Sequence, residues 1–282
     1  MPQMMFGPPP ATPYALTPSK DEVAFFRENG FLAVERLTTD EEIDWLRSIY
    51  EHIFDPANAG RPGGPVDRSG VTVPEAKGKL TQSFFPEVYF PQILQTNFVK
   101  NARRYAAALL AQPHDQLTAW GHMIKKSPGG RAANWHQDHA YWQPEFDYCA
   151  LGVWLPMHDV PIEMGAMQFI PGSHKLGLLP HRQEDEPSQN VLTIRRDVKV
   201  DLSTAVPCPL KKGGATFHHS ETLHYTAPNT TDIARLAFPM EFQLKPVRRE
   251  RPVVMPWVDE HRAVVGGPRE SLYVADGTIS PL

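Results

Sequence analysis

Apolar residues fall first at helical spacing and then in short runs. A capping box, Ser19 with Glu22, precedes Val23, Phe25 and Phe26, and Gly30 closes the segment, which predicts a short helix. A second helix is predicted from Thr39, with Glu42 as box partner and Ile43, Leu46, Tyr50 and Ile53 on one face. A third runs from Thr96 to Ala111 through Phe98, Val99, Ala102, Ala106, Leu109 and Leu110, and stops before Pro113. From Leu117 the pattern becomes runs of five to ten residues rich in Val, Ile, Phe, Trp and Thr, separated by Pro-Gly, Gly-Gly and Asn-rich breaks. Strands are expected near 117–125, 132–142, 148–158, 165–170, 190–195, 214–218, 222–226 and 234–245. A helical lead-in followed by about eight strands predicts a mainly β protein with flanking helices around a double-stranded β-helix, a jelly-roll core of cupin-like form.

Composition narrows the picture. The 282 residues suit one elaborated domain, read here as 19–282, preceded by a flexible, proline-rich leader over 1–18 that lacks Lys and Arg and does not resemble a targeting peptide. The 29 prolines, about twice the usual share, favour short strands and tight turns over long helices. A charge of −4 removes the electrostatic case for nucleic acid or an anionic membrane. No apolar stretch approaches the length of a membrane helix. Two cysteines, Cys149 and Cys208, make neither a disulfide framework nor a thiolate metal site, so a cytoplasmic protein whose metal ligands are His and carboxylate is expected. The charged stretch 181–201 reads as an excursion at the barrel mouth, either a lid or a solvated loop.

Candidate chemistry begins at Trp135-His136-Gln137-Asp138. On an extended strand, residues i and i+2 share a face, so His136 and Asp138 can present a ring nitrogen and a carboxylate oxygen to one point. Alone, such a pair is more often a surface hydrogen bond than a metal site. A distant His224 adds a second imidazole, and two histidines with one carboxylate can occupy one face of a metal and leave the other open, as in non-haem iron(II) oxygenases. Arg235 stands eleven residues beyond His224, in an otherwise apolar strand (Leu236, Ala237, Phe238), and an inward guanidinium calls for a carboxylate.

These residues resemble the phytanoyl-CoA dioxygenase family of iron(II)- and 2-oxoglutarate-dependent oxygenases. The likeness runs from Leu16-Thr17 and Phe25-Phe26-Arg27-Glu28-Asn29-Gly30-Phe31 to Arg235. Its specific parts are Trp135-His136-Gln137-Asp138, Ile170-Pro171-Gly172-Ser173-His174-Lys175, and His224 with Pro228-Asn229 and Arg235. The resemblance implies that His136, Asp138 and His224 bind Fe(II), that Arg235 grips the distal carboxylate of 2-oxoglutarate with help from Thr226, and that Trp154 lines the cosubstrate pocket. His122 and Lys79 fall near family positions that touch the cosubstrate. It further implies use of O2, oxidation of an unactivated C–H bond, most simply hydroxylation, and release of succinate and CO2. Asp138 argues against halogenation, which needs a small residue there.

His139, His174, His218 and His219 do not match ligand positions and are expected not to hold metal. The substrate is expected to be a small molecule, with Trp142, Gln143 and Gln168 as contacts, although Trp142 suits a core equally well. Arg248, Arg249 and Arg251 could meet the phosphates of a CoA ester or form a solvated segment. Two other classes compete: a non-catalytic jelly-roll binding protein, which has no need of the whole set, and a zinc hydrolase using the same three ligands, which has no use for Arg235.

Overall fold

The computed structural model describes residues 6–58, 64, 66–67, 80–184 and 191–265. Its helices are α1 (Lys20–Asn29), α2 (Asp40–Ile53), α3 (Pro86–Tyr89), α4 (Asn97–Leu110) and α5 (Pro256–Val265). The strands in chain order are β1 (Phe31–Val34), β2 (Val66–Asp67), β3 (Leu80–Phe84), β4 (Thr118–Lys126), β5 (Ala133–His136), β6 (Phe146–Asp147), β7 (Ala150–Pro156), β8 (Met167–Phe169), β9 (His181–Gln183), β10 (Leu192–Ile194), β11 (Val206–Cys208), β12 (Ala215–His219), β13 (His224–Thr226), β14 (Arg235–Gln243) and β15 (Val247–Arg248).

The helix signals become helices for the reasons the sequence suggested, with one exchange of partners. Ser19 and Glu22 form the reciprocal box, with Glu22 N–H donating to Ser19 Oγ at 3.1 Å and Ser19 N–H donating to Glu22 Oε2 at 2.7 Å. Thr39 also caps its helix, but the Glu42 carboxylate turns away and instead accepts the N–H groups of Asn97 (2.6 Å) and Phe98 (2.8 Å). One buried carboxylate therefore satisfies the first turn of α4 and pins α2 to it.

A seven-stranded sheet, ordered β1-β12-β7-β14-β4-β3-β2, faces a four-stranded sheet, ordered β11-β8-β13-β5, and neighbouring strands pair antiparallel. This is a jelly roll. Period-two alternation sorts the large sheet. On its outer face, Leu151, Val153, Phe217, Phe238, Met240 and Phe242 pack with the helical residues Ile43, Leu46, Phe98 and Ala102 in the main core. On its inner face, residues of opposite parity, Trp154, Lys126, Arg235 and Glu241 among them, line a cavity between the sheets. Pro239 sits within central β14. Its pairing continues to β7, but the ladder to β4 has no pair between Ala237↔Ile124 and Met240↔Gly121, where the missing N–H falls.

The strand pattern needs one correction, and two segments outside it have defined contacts. Over the described part of the leader, the Asn97 and Asn101 side chains hydrogen-bond the backbone of Thr12, Tyr14 and Leu16, and Phe6 packs edge-on against His52 and Phe90. The strand expected over 132–142 ends at His136. Buried Gln137 bonds Gly177 O, Glu221 O and Leu179 N through its side chain, and its own N–H donates to His181 Nε2, so the chain leaves the sheet and enters a 3-10 turn at Asp138–Tyr141. The 181–201 excursion begins as the hairpin β9–β10. It docks beside β5 through Leu192 N–H to the Tyr141 hydroxyl (2.8 Å) and places Val191 on the cavity.

Candidate active site

The His136 and His224 pair lies side by side across the β5–β13 ladder, where the two residues are direct partners. Each imidazole is oriented from behind: His136 Nδ1 lies 2.6 Å from Asn134 O and His224 Nδ1 lies 3.0 Å from Thr222 O. A carbonyl only accepts, so both Nδ1 atoms carry hydrogen and both Nε2 lone pairs point forward. Gln137 stays extended (φ −118°, ψ 137°), so Asp138 lands on the same side although it is no longer in the strand. Its Oδ1 lies 3.5 Å from His224 Nε2 and 4.0 Å from His136 Nε2. Two nitrogens and one oxygen, all within 4.8 Å of one another, form a donor set that fits a divalent metal on one face. Burial raises the Asp138 pKa, but the surrounding imidazoles of His224, His218 and His136 outweigh it and hold the carboxyl below its ordinary range. Burial lowers both ring histidines, His224 strongly, and so keeps them neutral as ligands must be.

The second Asp138 oxygen is also held. His218 Nε2 lies 2.9 Å from Oδ2, and it reaches there because residue 152, on the adjoining strand, is glycine: a Cβ at Gly152 would come within 2.6 Å of the His218 ring. His218 is thus not among the three converging donors, but it orients one of them. The sequence offered a parity signal for it, since Phe217 faces the core.

The same cavity has a cationic end. Arg235 is 2% exposed, its Nη1 donates to Gly165 O at 2.6 Å, its guanidinium lies 5.4 Å from the Trp154 ring centre, and its Nε is buried with no partner. Lys126, its cross-strand partner, is 1% exposed and donates to Thr226 Oγ1 (2.8 Å) and Ala227 O (2.9 Å). Neither forms an ion pair among the described residues. Burial, and then the neighbouring Arg235, push the Lys126 ammonium well below its usual value, while burial lowers Arg235 only to about 10. Two adjacent buried basic groups without an anion fit a carboxylate ligand, whose charge would also favour the Lys126 ammonium. Lys126 was not singled out from sequence, although it continues the inward series Trp120, His122, Ile124.

The cavity joining these groups measures about 220 Å³. Thr226, Trp154, His122 and Trp142 line it, with His122 stacked between Phe84 and Trp120. Gln143 and Gln168 do not: Gln168 lies between inward-facing Met167 and Phe169 and so points the other way, and Gln143 follows the last lining residue of its segment. Lys79 lies outside the described residues.

A jelly roll with a two-histidine, one-carboxylate metal face beside a buried cationic seat defines a non-haem iron oxygenase that uses an acidic cosubstrate. The chain belongs to the phytanoyl-CoA dioxygenase (PhyH) family, whose model matches residues 26–237. It is a 2-oxoglutarate-dependent dioxygenase, with Fe(II), 2-oxoglutarate and O2 as its cofactor and cosubstrates. Among solved structures it is similar to EvdO2 from Micromonospora carbonacea var. aurantiaca complexed with 2-oxoglutarate, at 30% identity over 87% of this chain and 99% of that one, with a TM-score of 0.74. Phytanoyl-CoA dioxygenase domain-containing protein 1 of Mus musculus is 29% identical, covering 80% of this chain and 67% of the relative. The protein of the same name from Danio rerio is 36% identical over 115 residues, 40% of either chain. No helix among the described residues is long and apolar enough to cross a membrane.

Proposed function

We propose that this dioxygenase hydroxylates an unactivated C–H bond of a small molecule, with His136, Asp138 and His224 holding iron and Arg235 anchoring the distal carboxylate of 2-oxoglutarate. The observation that carries the reading is the convergence of His136 Nε2, Asp138 Oδ1 and His224 Nε2 within 4.8 Å at a cavity that also holds Arg235 and Lys126 without an anion. Bound iron(II) and 2-oxoglutarate together supply O2 activation, with release of succinate and CO2.

The chain's own groups do the positioning. Arg235 presents a planar fork to the carboxylate, Lys126 adds a second charge, and the Thr226 hydroxyl, already an acceptor from Lys126, turns its hydrogen toward the seat. Trp154 beneath the guanidinium and His122 in its aromatic stack wall the cosubstrate space, and Trp142 faces the substrate side. The Lys79 role rests on the family resemblance alone. A zinc hydrolase or a binding protein leaves two buried cations unexplained, which favours the oxygenase chemistry. Two unpaired cysteines suit a cytoplasmic location.

Anaerobic titration tests the core of the proposal. Fe(II) and 2-oxoglutarate added together should produce a visible metal-to-ligand charge-transfer band that neither gives alone, and no band would refute it. A small-molecule screen scored by succinate formation above the uncoupled background, with product analysis for a new hydroxyl, tests the reaction type.

A further inference from the structure

Away from its cationic end, the cavity wall carries a carboxyl that the chemistry above does not use. Glu241 is 7% exposed and lines the cavity, its Oε1 is buried without a hydrogen-bond partner, and it forms no ion pair among the described residues. Its direct cross-strand partner on β4 is Trp120, which also lines the cavity and whose indole Nε1–H is likewise buried without a partner. Its partner on the other side is Gly152, over which the His218 ring lies, so Glu241 belongs to the part of the wall next to the metal-ligand end of the cavity. Partners across an antiparallel ladder present their side chains on one face, about 5 Å apart. One acceptor and one donor, both unsatisfied, thus stand side by side in the cavity wall. Each is costly to bury unpaired, and a ligand that pairs with both removes that cost.

Resting on the reading of this cavity as the oxygenase's substrate chamber, we infer that Glu241 and Trp120 form a hydroxyl-recognition pair, and that the substrate is a hydroxyl-bearing ring compound. A hydroxyl oxygen donates its hydrogen to the Glu241 carboxyl and accepts the Trp120 indole N–H. An ammonium group can do the first but not the second, because it has no lone pair. With no ion-pair partner among the described residues and an unpaired indole N–H beside it, Glu241 is matched by a neutral group that both donates and accepts. The indole and the neighbouring His122 and Phe84 rings supply a flat apolar surface for the ring that carries the hydroxyl.

Three isosteric probes decide the matter: cyclohexanol, cyclohexylammonium and methylcyclohexane, with binding to the full chain followed by intrinsic tryptophan fluorescence and ligand-observed NMR. Cyclohexanol should bind roughly ten-fold or more tightly than methylcyclohexane, the margin expected when a ligand satisfies buried polar groups. Glu241→Leu should abolish that preference, Trp120→Phe should reduce it, and Glu241→Gln, which keeps an acceptor, should largely retain it. Equal affinity for the alcohol and the hydrocarbon, no measurable binding of the alcohol, or a preference for the ammonium that Glu241→Gln removes, each overturns the inference. Thermal melts of each variant confirm that it is folded, and Glu241→Leu, which deletes an unpaired buried carboxyl, should melt no lower than the wild type. The Fe(II)–2-oxoglutarate band, recorded on the same samples, separates two failures. A missing band with the alcohol preference intact refutes the cofactor reading, and an intact band with no alcohol preference refutes this one.

Discussion

Arg235 and Glu241 stand on one face of one strand, six residues apart, at 2% and 7% exposure, and neither has an ion pair among the described residues. Roughly 20 Å of extended chain separates them, so they cannot neutralise each other. Burial acts on both by disfavouring charge, with opposite outcomes. The guanidinium, lowered only to about 10, stays protonated at neutral pH, whereas the carboxyl is pushed toward its neutral acid form. The Arg235 end, reinforced by Lys126, therefore suits an anion, and the Glu241 end suits a neutral hydrogen-bonding group. The metal donors line the same cavity, so a diacid and a neutral substrate can share it without competing for the same charges.

The largest expected effect comes from removing that centre. His136→Ala, Asp138→Ala and His224→Ala each delete one of three donors and should abolish substrate-dependent succinate formation while circular dichroism stays native. Near-wild-type turnover in any of them would remove that residue from the metal site. Arg235→Ala comes next: losing a buried charged pair of this kind costs about 2–5 kcal/mol, roughly 30-fold to several thousand-fold in 2-oxoglutarate affinity, while iron binding without cosubstrate changes little. Arg235→Lys should be intermediate, because the charge survives and the fork does not. An unchanged 2-oxoglutarate affinity in both would break the contrast between the two ends.

Lys126→Met should weaken 2-oxoglutarate by about 10- to 100-fold, as for one hydrogen bond to a charged group, with an equal or higher melting temperature because it removes a like charge beside Arg235. A large drop in melting temperature with unaltered affinity would make Lys126 structural. Gly152→Ala pushes His218 off Asp138 and should lower iron affinity by about 10- to 100-fold, as losses of groups that orient a metal ligand do. Isothermal titration with Fe(II) under anaerobic conditions reads this directly.

The smallest effect is a pH slope in stability. With its pKa raised on folding, Glu241 binds more protons in the native than in the unfolded state between the ordinary carboxyl value of 4.5 and its native value. Its contribution is thus fully present below the unfolded value and is lost as pH rises. Melting temperatures of Glu241→Gln relative to wild type should therefore climb from pH 4 toward alkaline pH. A difference independent of pH would mean that Glu241 is ionised in the fold, and the contrast with Arg235 would collapse.

Local chemistry wrote much of this molecule into its chain. Ser19, Thr39 and Thr96 cap helices because a hydroxyl beside free N–H groups needs no distant partner, and alternation over 118–126, 150–156 and 235–243 separates a core face from a cavity face by parity alone. The metal candidates were legible for the same reason: His136 and Asp138 share a face at i and i+2, and Arg235 is an isolated charge in an apolar run.

What lay beyond local reading depends on contacts between segments far apart in sequence. Glu42 left its own cap for α4, 55 residues away, because the unsatisfied N–H groups there are buried and its own helix start is exposed to water. Gln137 ended a strand because four partners from other segments outbid the ladder. His218 became the second partner of Asp138 only where a glycine on the neighbouring strand leaves room. Lys126 and Glu241 each look unremarkable in sequence, and their meaning is a matter of register: β4 against β14 sets one charge beside Arg235 and places an acid opposite an unpaired indole. Charge and hydrogen-bond demand are fixed by composition along a chain, but whether a buried group finds its partner is decided in three dimensions.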